Sequence, residues 1–242
     1  MRAIAHLSAL GAEPMDREAP LFRDRVDAGE RLAKRLLTYR GEHVLVLGIP
    51  RGGMPVAAVV AQALEAELDV VVARKLGSPV SEELAIGAVT AEGGRYLNDS
   101  VVRSLGVDES YIDHVTRAQV LEAQRRESRF RGGAPAAAIP GRTVILVDDC
   151  LATGSTMVAA ARAVRAKGPA RLIVAVPVGS REAVALLQHE TDEVVCLSTP
   201  EPFWAVGVYY RDFGQTEDRE VETLLQQGRR SPAGVSTTSQ RG

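Results

Sequence analysis

The sequence predicts an α/β fold: a doubly wound, mainly parallel sheet with helices on both faces and a small hood subdomain. Three observations carry this expectation. Five short apolar runs rich in β-branched residues read as strands: HVLVLGI (43–49), DVVVAR (69–74), TVILVD (143–148), RLIVAVPV (171–178) and DEVVCLS (192–198). Stretches of helical period separate them, and strands apolar throughout need cover on both faces, as a parallel sheet between helices provides. Unusual loops follow the strands: GIPRGG after the first, RKLGSP after the second and DDCLATGST after the third. In doubly wound sheets the carboxyl ends of the strands are where ligands bind.

The elements follow in order. LFRDRVDAGERLAKRLL (21–37) brings Phe22, Val26, Leu32, Leu36 and Leu37 near one helical face. After the first strand, MPVAAVVAQALEAE (54–67) is Ala-rich and carries Pro55 in its first turn, where a missing N–H costs nothing. AIGAVT and GGRYLN follow the second strand as a hairpin or irregular excursion. DESYIDHVTRAQVLEAQRRESRFR (108–131) is a long charged helix, and its RRESRFR end (125–131) reads as a solvated terminus rather than a nucleic-acid patch. STMVAAARAVRAKG and SREAVALLQHE supply the helices after the third and fourth strands. Residues 1–19 form an N-terminal extension without clear period, 20–228 one domain, and 229–242 a Ser/Thr/Gly/Arg-rich tail expected to be disordered.

Composition narrows the function classes. The chain has 242 residues, 45% hydrophobic and 25% charged, with 29 Lys+Arg against 31 Asp+Glu. A net charge of −2 gives no general attraction to nucleic acid or anionic membrane. Apolar runs such as LIVAVPV (172–178) are too short to span a bilayer. The two cysteines, Cys150 and Cys196, lack metal-ligand spacing, and no signal-like apolar core follows the first charges. The expectation is a soluble cytoplasmic protein. Cys150 reads as a small filler, and His43 and His114 as isolated structural or exposed residues.

The richest stretch is VILVDDCLATGST (144–156). Asp148 and Asp149 leave a buried strand as adjacent carboxylates. Thr153, Gly154, Ser155 and Thr156 then open a helix whose free N–H groups and positive dipole end suit a phosphate. Gly154 allows close backbone approach. The acids do not favour that phosphate; they suit sugar hydroxyls or Mg²⁺. Together these features describe a site for a sugar phosphate. A P-loop would need Gly-Lys before its Ser/Thr, which the chain lacks. A phosphorelay receiver would need an Asp at the next strand end, and RLIVAVPVG has none. The plainest alternative is a capped helix after a strand.

VILVDDCLATGST resembles the 5-phosphoribosyl 1-pyrophosphate (PRPP) motif of the type I phosphoribosyltransferase family. The resemblance extends over about residues 21–227. It implies PRPP contacts by Asp148, Asp149, Ala152, Thr153, Gly154, Ser155 and Thr156. LGIPRGGMPVA (47–57) is similar to the family's pyrophosphate loop, with Arg51, Gly52 and Gly53 as ligands and a cis peptide expected at Pro50–Arg51. ARKLGSP (73–79) is similar to the family's Arg-Lys pair, which implies that Arg74 and Lys75 also contact pyrophosphate. The stretch after it (76–99) fits the mobile loop that closes over the reaction. Glu82 and Glu83 within it, together with Lys75, are the catalytic candidates.

The resemblance further implies PRPP and a nucleobase or nucleotide as partners and Mg²⁺ as cofactor, held by Asp148, Asp149 and Asp212. It leaves room for a homodimer. For the acceptor, WAVGVYYRD (204–212) is similar to 6-oxopurine enzymes, with Trp204 and Val206 against the base and Asp212 one position displaced. Those enzymes carry an acid where this chain has Ala152, as adenine- and orotate-type members do, so the base stays open. The expected activity is transfer of the phosphoribosyl group with release of pyrophosphate. A non-catalytic PRPP- or nucleotide-binding regulator is the alternative.

Overall fold

The computed structural model describes residues 20–82 and 84–230. Helix α1 (Arg25–Leu36) starts at Asp24, whose carboxylate accepts from the Asp27 amide. It buries Ala28, Gly29, Leu32, Ala33 and Leu36. The stripe differs from the sequence expectation: Val26 and Leu37 are exposed, and Phe22 is buried ahead of the helix. Small residues select this face, because a Cβ on Gly29 would lie 2.9 Å from Val59 Cβ of the neighbouring helix α2 (Gly53–Leu64).

Five strands build the main sheet: β1 (Val44–Gly48), β2 (Glu67–Val70), β6 (Thr143–Val147), β7 (Arg171–Val178) and β8 (Glu193–Ser198). Their order is β2-β1-β6-β7-β8, and every pairing is parallel. Alternate residues feed two cores. Val44, Val46 and Ile145 join α1, α2 and helix α7 (Asp218–Arg230). Leu45, Leu47 and Leu146 join helices α5 (Ser155–Arg165) and α6 (Arg181–Gln188). The chain winds outward in both directions from β1 and β6, so the crevice at their carboxyl ends is the topological switch point.

The expected second strand, 69–74, is divided. β2 ends at Val70, and Ala73–Gly77 forms β3 of a separate antiparallel sheet with β4 (Ala85–Thr90) and β5 (Arg95–Leu97). Arg74 and Lys75 therefore lie inside a strand rather than at the end of one. The expected mobile loop (76–99) is mostly this hairpin: Leu76, Ile86 and Val89 form a second small core with Ile112. Only the turn from Ser78 to Leu84 stays outside it, closed by the Ser78 amide donating to the Leu84 carbonyl at 2.9 Å.

Helix α3 (Asp99–Leu105) and the long α4 (Glu109–Arg131) follow, with asparagine and aspartate N-caps. The 125–131 end is not a solvated terminus. Glu127 and Phe130 are buried, and Arg131 reaches Asp69 Oδ1 at 3.0 Å, Glu127 Oε2 at 2.7 Å and the Val70 carbonyl at 2.7 Å. Glu127 also accepts from the Val72 amide at 2.9 Å. Desolvation pulls the Arg131 pKa down, but Asp69 and Glu127 raise it by more. This ion network pins the segment where the chain leaves one sheet for the other.

The hood is a satellite cluster of Phe22, Ala28, Val178, Tyr209 and Tyr210, with Cys150, Phe203, Val206 and Phe213 partly buried against it. Cys150 fills space here as expected, and burial pushes its thiol pKa up. Helix α7, absent from the sequence reading, buries Val221 and Leu225 and runs to Arg230, two residues into the expected tail. The extension 1–19 and residues 231–242 lie outside the described residues. Among the described residues no helix is long and apolar enough to cross a membrane.

Candidate active site

Two turns meet at the switch point. The first leaves β1: the Ile49 amide donates to the Val147 carbonyl at 2.9 Å, the Pro50–Arg51 peptide is cis as expected, and Gly52 and Gly53 lead into α2. The second leaves β6 through Asp148 and Asp149. The turns touch through their glycines. A Cβ on Gly52 would fall 2.7 Å from Asp149 Cγ and closer still to its Oδ2, and one on Gly53 would fall 2.8 Å from Asp148 Cα and Oδ1. No residue with a side chain fits either position as the turns stand.

Asp149 is the buried acid, held from three directions. Arg25 Nε donates to its Oδ2 at 2.8 Å, Tyr210 donates its hydroxyl to its carbonyl at 2.6 Å, and its own amide donates to Asp148 Oδ1 at 2.8 Å. Arg25 also donates to the Gly214 carbonyl at 2.7 Å and lies over the Phe213 ring, 3.9 Å from its centroid. Burial, and then the charge of Asp149, push the Asp148 carboxyl well above the usual range. Burial, and then Asp149, likewise raise the Tyr210 hydroxyl.

Beyond the acids the chain is tied to the end of β7. Leu151 pairs with Val178, and Ser180 Oγ donates to the Ala152 carbonyl at 2.6 Å. Gly154 has φ +79°, a left-handed conformation that explains the glycine, and α5 starts at Ser155. Thr153 Oγ1 and Ser155 Oγ lie 3.3 Å apart, two hydroxyls side by side at a helix N-terminus, with Thr156 in its first turn. Beside the first turn opens a cavity of about 320 Å³ lined by Arg25, Arg51, Gly52, Asp149, Phe213 and Thr216, among others.

The chain that builds this switch point also matches a known domain. The family model described as "Phosphoribosyl transferase domain" matches residues 23–212. The chain belongs to this family. Its name is that of a pentosyl transfer, and its type I fold is the one seen here. Two Mycobacterium tuberculosis proteins, each named "Putative phosphoribosyl transferase", are 50% identical over 210 residues, or 87% of this chain and 47% of each of them. The chain thus spans about half the length of the curated relatives it matches. A "Ribose-phosphate pyrophosphokinase" of Methanopyrus kandleri is 40% identical over 125 residues, 48% of this chain and 39% of that protein. The crystal structure of a Thermus thermophilus protein, TT1426, superimposes with a TM-score of 0.73 at 46% identity, covering 85% of this chain and 98% of that one.

Among the family's expected site residues, Arg51, Gly52, Gly53, Asp148, Asp149 and the 152–156 turn converge on the switch point. Others stand apart. Arg74 is half-buried on β3, its Nε donating to Gln119 Oε1 at 3.0 Å, while Lys75 projects from the opposite face and is exposed. Glu82 is exposed in the Ser78–Leu84 turn and makes no described hydrogen bond or ion pair with the acids; Glu83 lies outside the described residues. Trp204 is 56% exposed, with only its amide tied down, to the Tyr209 hydroxyl at 2.8 Å. Val206 packs in the hood cluster. Asp212 is exposed and pairs with Arg211 at 3.6 Å, and among the described residues no three His, Cys, Asp or Glu side chains are grouped to hold a metal.

Arg25, Tyr210, Phe213 and Thr216 are the residues the sequence reading missed. Arg25 carried no local signal, because its partner lies 124 positions along the chain. Tyr210 lies inside the 204–212 stretch and Phe213 just after it, but nothing in spacing told which aromatic faced the acids.

Proposed function

We propose that the chain catalyses transfer of the 5-phosphoribosyl group from PRPP to a nucleobase-like nitrogen, with release of pyrophosphate. The observation that carries this reading is the contact of the two turns: glycines 52 and 53 pressed against acids 149 and 148, beside the hydroxyl-bearing start of α5. In this reading the Thr153–Thr156 turn takes the 5′-phosphate with backbone N–H groups and hydroxyls. Asp149, oriented by Arg25 and Tyr210, accepts from ribose hydroxyls. Arg51 and the amides of Gly52 and Gly53 face the pyrophosphate; on the second sheet Arg74 is the further candidate to reach it, while Lys75 projects from the opposite face of the same strand.

The acceptor nitrogen forms its bond to C1 as the C1–O bond breaks, and the electron pair leaves with pyrophosphate. The nitrogen's proton passes to a base, for which Glu82 and Glu83 are the candidates. The chain's main work is orientation and stabilisation of charge on the leaving group. The donor set fits Mg²⁺ carried on the substrate, since that ion is commonly held by one or two carboxylates plus phosphates rather than a full protein cage. When bound, Mg²⁺ supplies positive charge to the departing pyrophosphate. Asp148 and Asp149 are the residues to hold it; the exposed Asp212, salt-bridged to its neighbour, is the weaker candidate.

The test is pyrophosphate release from PRPP across a panel of nucleobases, with Thr153→Ala and Ser155→Ala alongside. Each substitution should weaken ribose 5-phosphate binding by about 1–3 kcal/mol where it removes a buried hydroxyl contact. Release with one class of base supports the reading. PRPP binding without release from any base replaces it with the regulator.

A further inference from the structure

We propose that Asp218 is the positioning residue for Arg51, holding its guanidinium at the edge of the cavity where pyrophosphate is to sit. This rests on the phosphoribosyl-transfer reading above and adds a residue from a helix outside both turns. Asp218 opens α7. Its Oδ2 accepts a close ion pair from Arg129 Nη1 at 2.8 Å, and Arg129 is itself held by Glu222 through Nε at 3.0 Å. Its Oδ1 is buried and has no hydrogen-bond partner, yet two guanidiniums face it: Arg51 Nη1 at 3.5 Å and Arg126 Nη2 at 3.9 Å.

Those distances define the role. A charge-assisted hydrogen bond closes to about 2.7–2.9 Å. At 3.5 Å, Arg51 is attracted by Asp218 without spending a hydrogen bond on it. Its donors stay available to the cavity, while the carboxylate limits where the long side chain can swing. Asp218 shares its surroundings with two further carboxylates, Glu222 on Arg129 at 3.0 Å and Glu122, which lies 3.7 Å from Arg126 and 2.8 Å from Arg125. Four guanidiniums among three carboxylates leave the cluster one charge positive, so Asp218 restrains Arg51 without making the cavity edge repel an anion.

Calorimetry with inorganic pyrophosphate and, separately, ribose 5-phosphate tests the inference in a double-mutant cycle. Asp218→Asn keeps the shape and removes the charge. It should weaken pyrophosphate binding about three- to tenfold, the equivalent of ordering one long side chain on binding, and leave ribose 5-phosphate binding unchanged. In an Arg51→Gln background it should have no further effect on pyrophosphate. Asp218→Glu, which keeps the charge, should recover most of the affinity. Tighter pyrophosphate binding by Asp218→Asn would mean that Asp218 competes with the ligand for Arg51 and would overturn the proposal. An equal loss with and without Arg51 would overturn it too. A wild-type chain that binds no pyrophosphate removes the phosphoribosyl-transfer reading itself, and this inference with it.

Discussion

Replacing Gly52 by alanine isolates the contact between the two turns. Gly52 has φ −60° and ψ −34°, a conformation open to any residue, so backbone strain contributes nothing. The added methyl would stand 2.7 Å from Asp149 Cγ and closer still to its Oδ2. Ordinary carbon–oxygen contact requires the carboxylate to retreat by roughly 1 Å. Asp149 cannot retreat without leaving Arg25, which donates to the same oxygen at 2.8 Å with both side chains little exposed. Losing a hydrogen bond between charged groups costs about 1.5–3 kcal/mol. Gly52→Ala should therefore lower the unfolding free energy by about that amount in urea titration at neutral pH. PRPP affinity should fall as well. In an Asp149→Ala background the methyl has room, and the penalty should shrink below about 0.5 kcal/mol, the limit of additive behaviour. A Gly52→Ala chain as stable as its parent, or an equal penalty in both backgrounds, would refute the argument that the turns are locked by this acid.

Arg131→Met should destabilise by about 3–5 kcal/mol, because it removes the guanidinium that bridges the buried Asp69 and Glu127; denaturant unfolding checks this, and a shift under about 1 kcal/mol would make the network incidental. Tyr39 is buried and donates to Glu193 Oε2, and burial followed by that carboxylate pushes its pKa from 10.0 up to about 12. Its contribution is complete below pH 10 and is lost as pH rises through about 12, so Tyr39→Phe should flatten the alkaline fall in stability across that window; an unchanged slope counts against it. Trp204 should be open to acrylamide quenching in the free protein, and a nucleoside monophosphate should shield it where ribose 5-phosphate does not; shielding by neither would move the base away from Trp204.

The sheet and the phosphate turn were legible because their signals are local. Five apolar runs and a glycine-hydroxyl turn after paired acids identify themselves within a dozen residues. The division of 69–74 was not legible. VVVAR is apolar and β-branched over most of its length, and only the tertiary ties of Val72 to Glu127 and Val70 to Arg131 show where one sheet ends. The same network explains why RRESRFR looked solvated: a charge run says nothing of partners 55 and 62 positions away. Trp204 was the aromatic that the resemblance set against the base, while the aromatic lining the cavity is Phe213. The helix at 218–230 was overlooked because its polar residues outnumber the few apolar ones that it buries.

The back wall of Asp149 sets an order of assembly. Arg25 emerges from the ribosome 124 residues before Asp149, and Tyr210 61 residues after the carbonyl that its hydroxyl holds. At roughly 5–20 residues per second, Asp149 waits about 3–12 s for that partner. During this interval a nascent chain has both acids and its early arginine, but neither the Tyr210 hydroxyl nor the Gly214 carbonyl that anchors the guanidinium. Completion of the site thus follows the synthesis of the acids, and a message truncated before the codon for Tyr210 lacks both the hydroxyl and the Gly214 carbonyl that support the acid and its arginine.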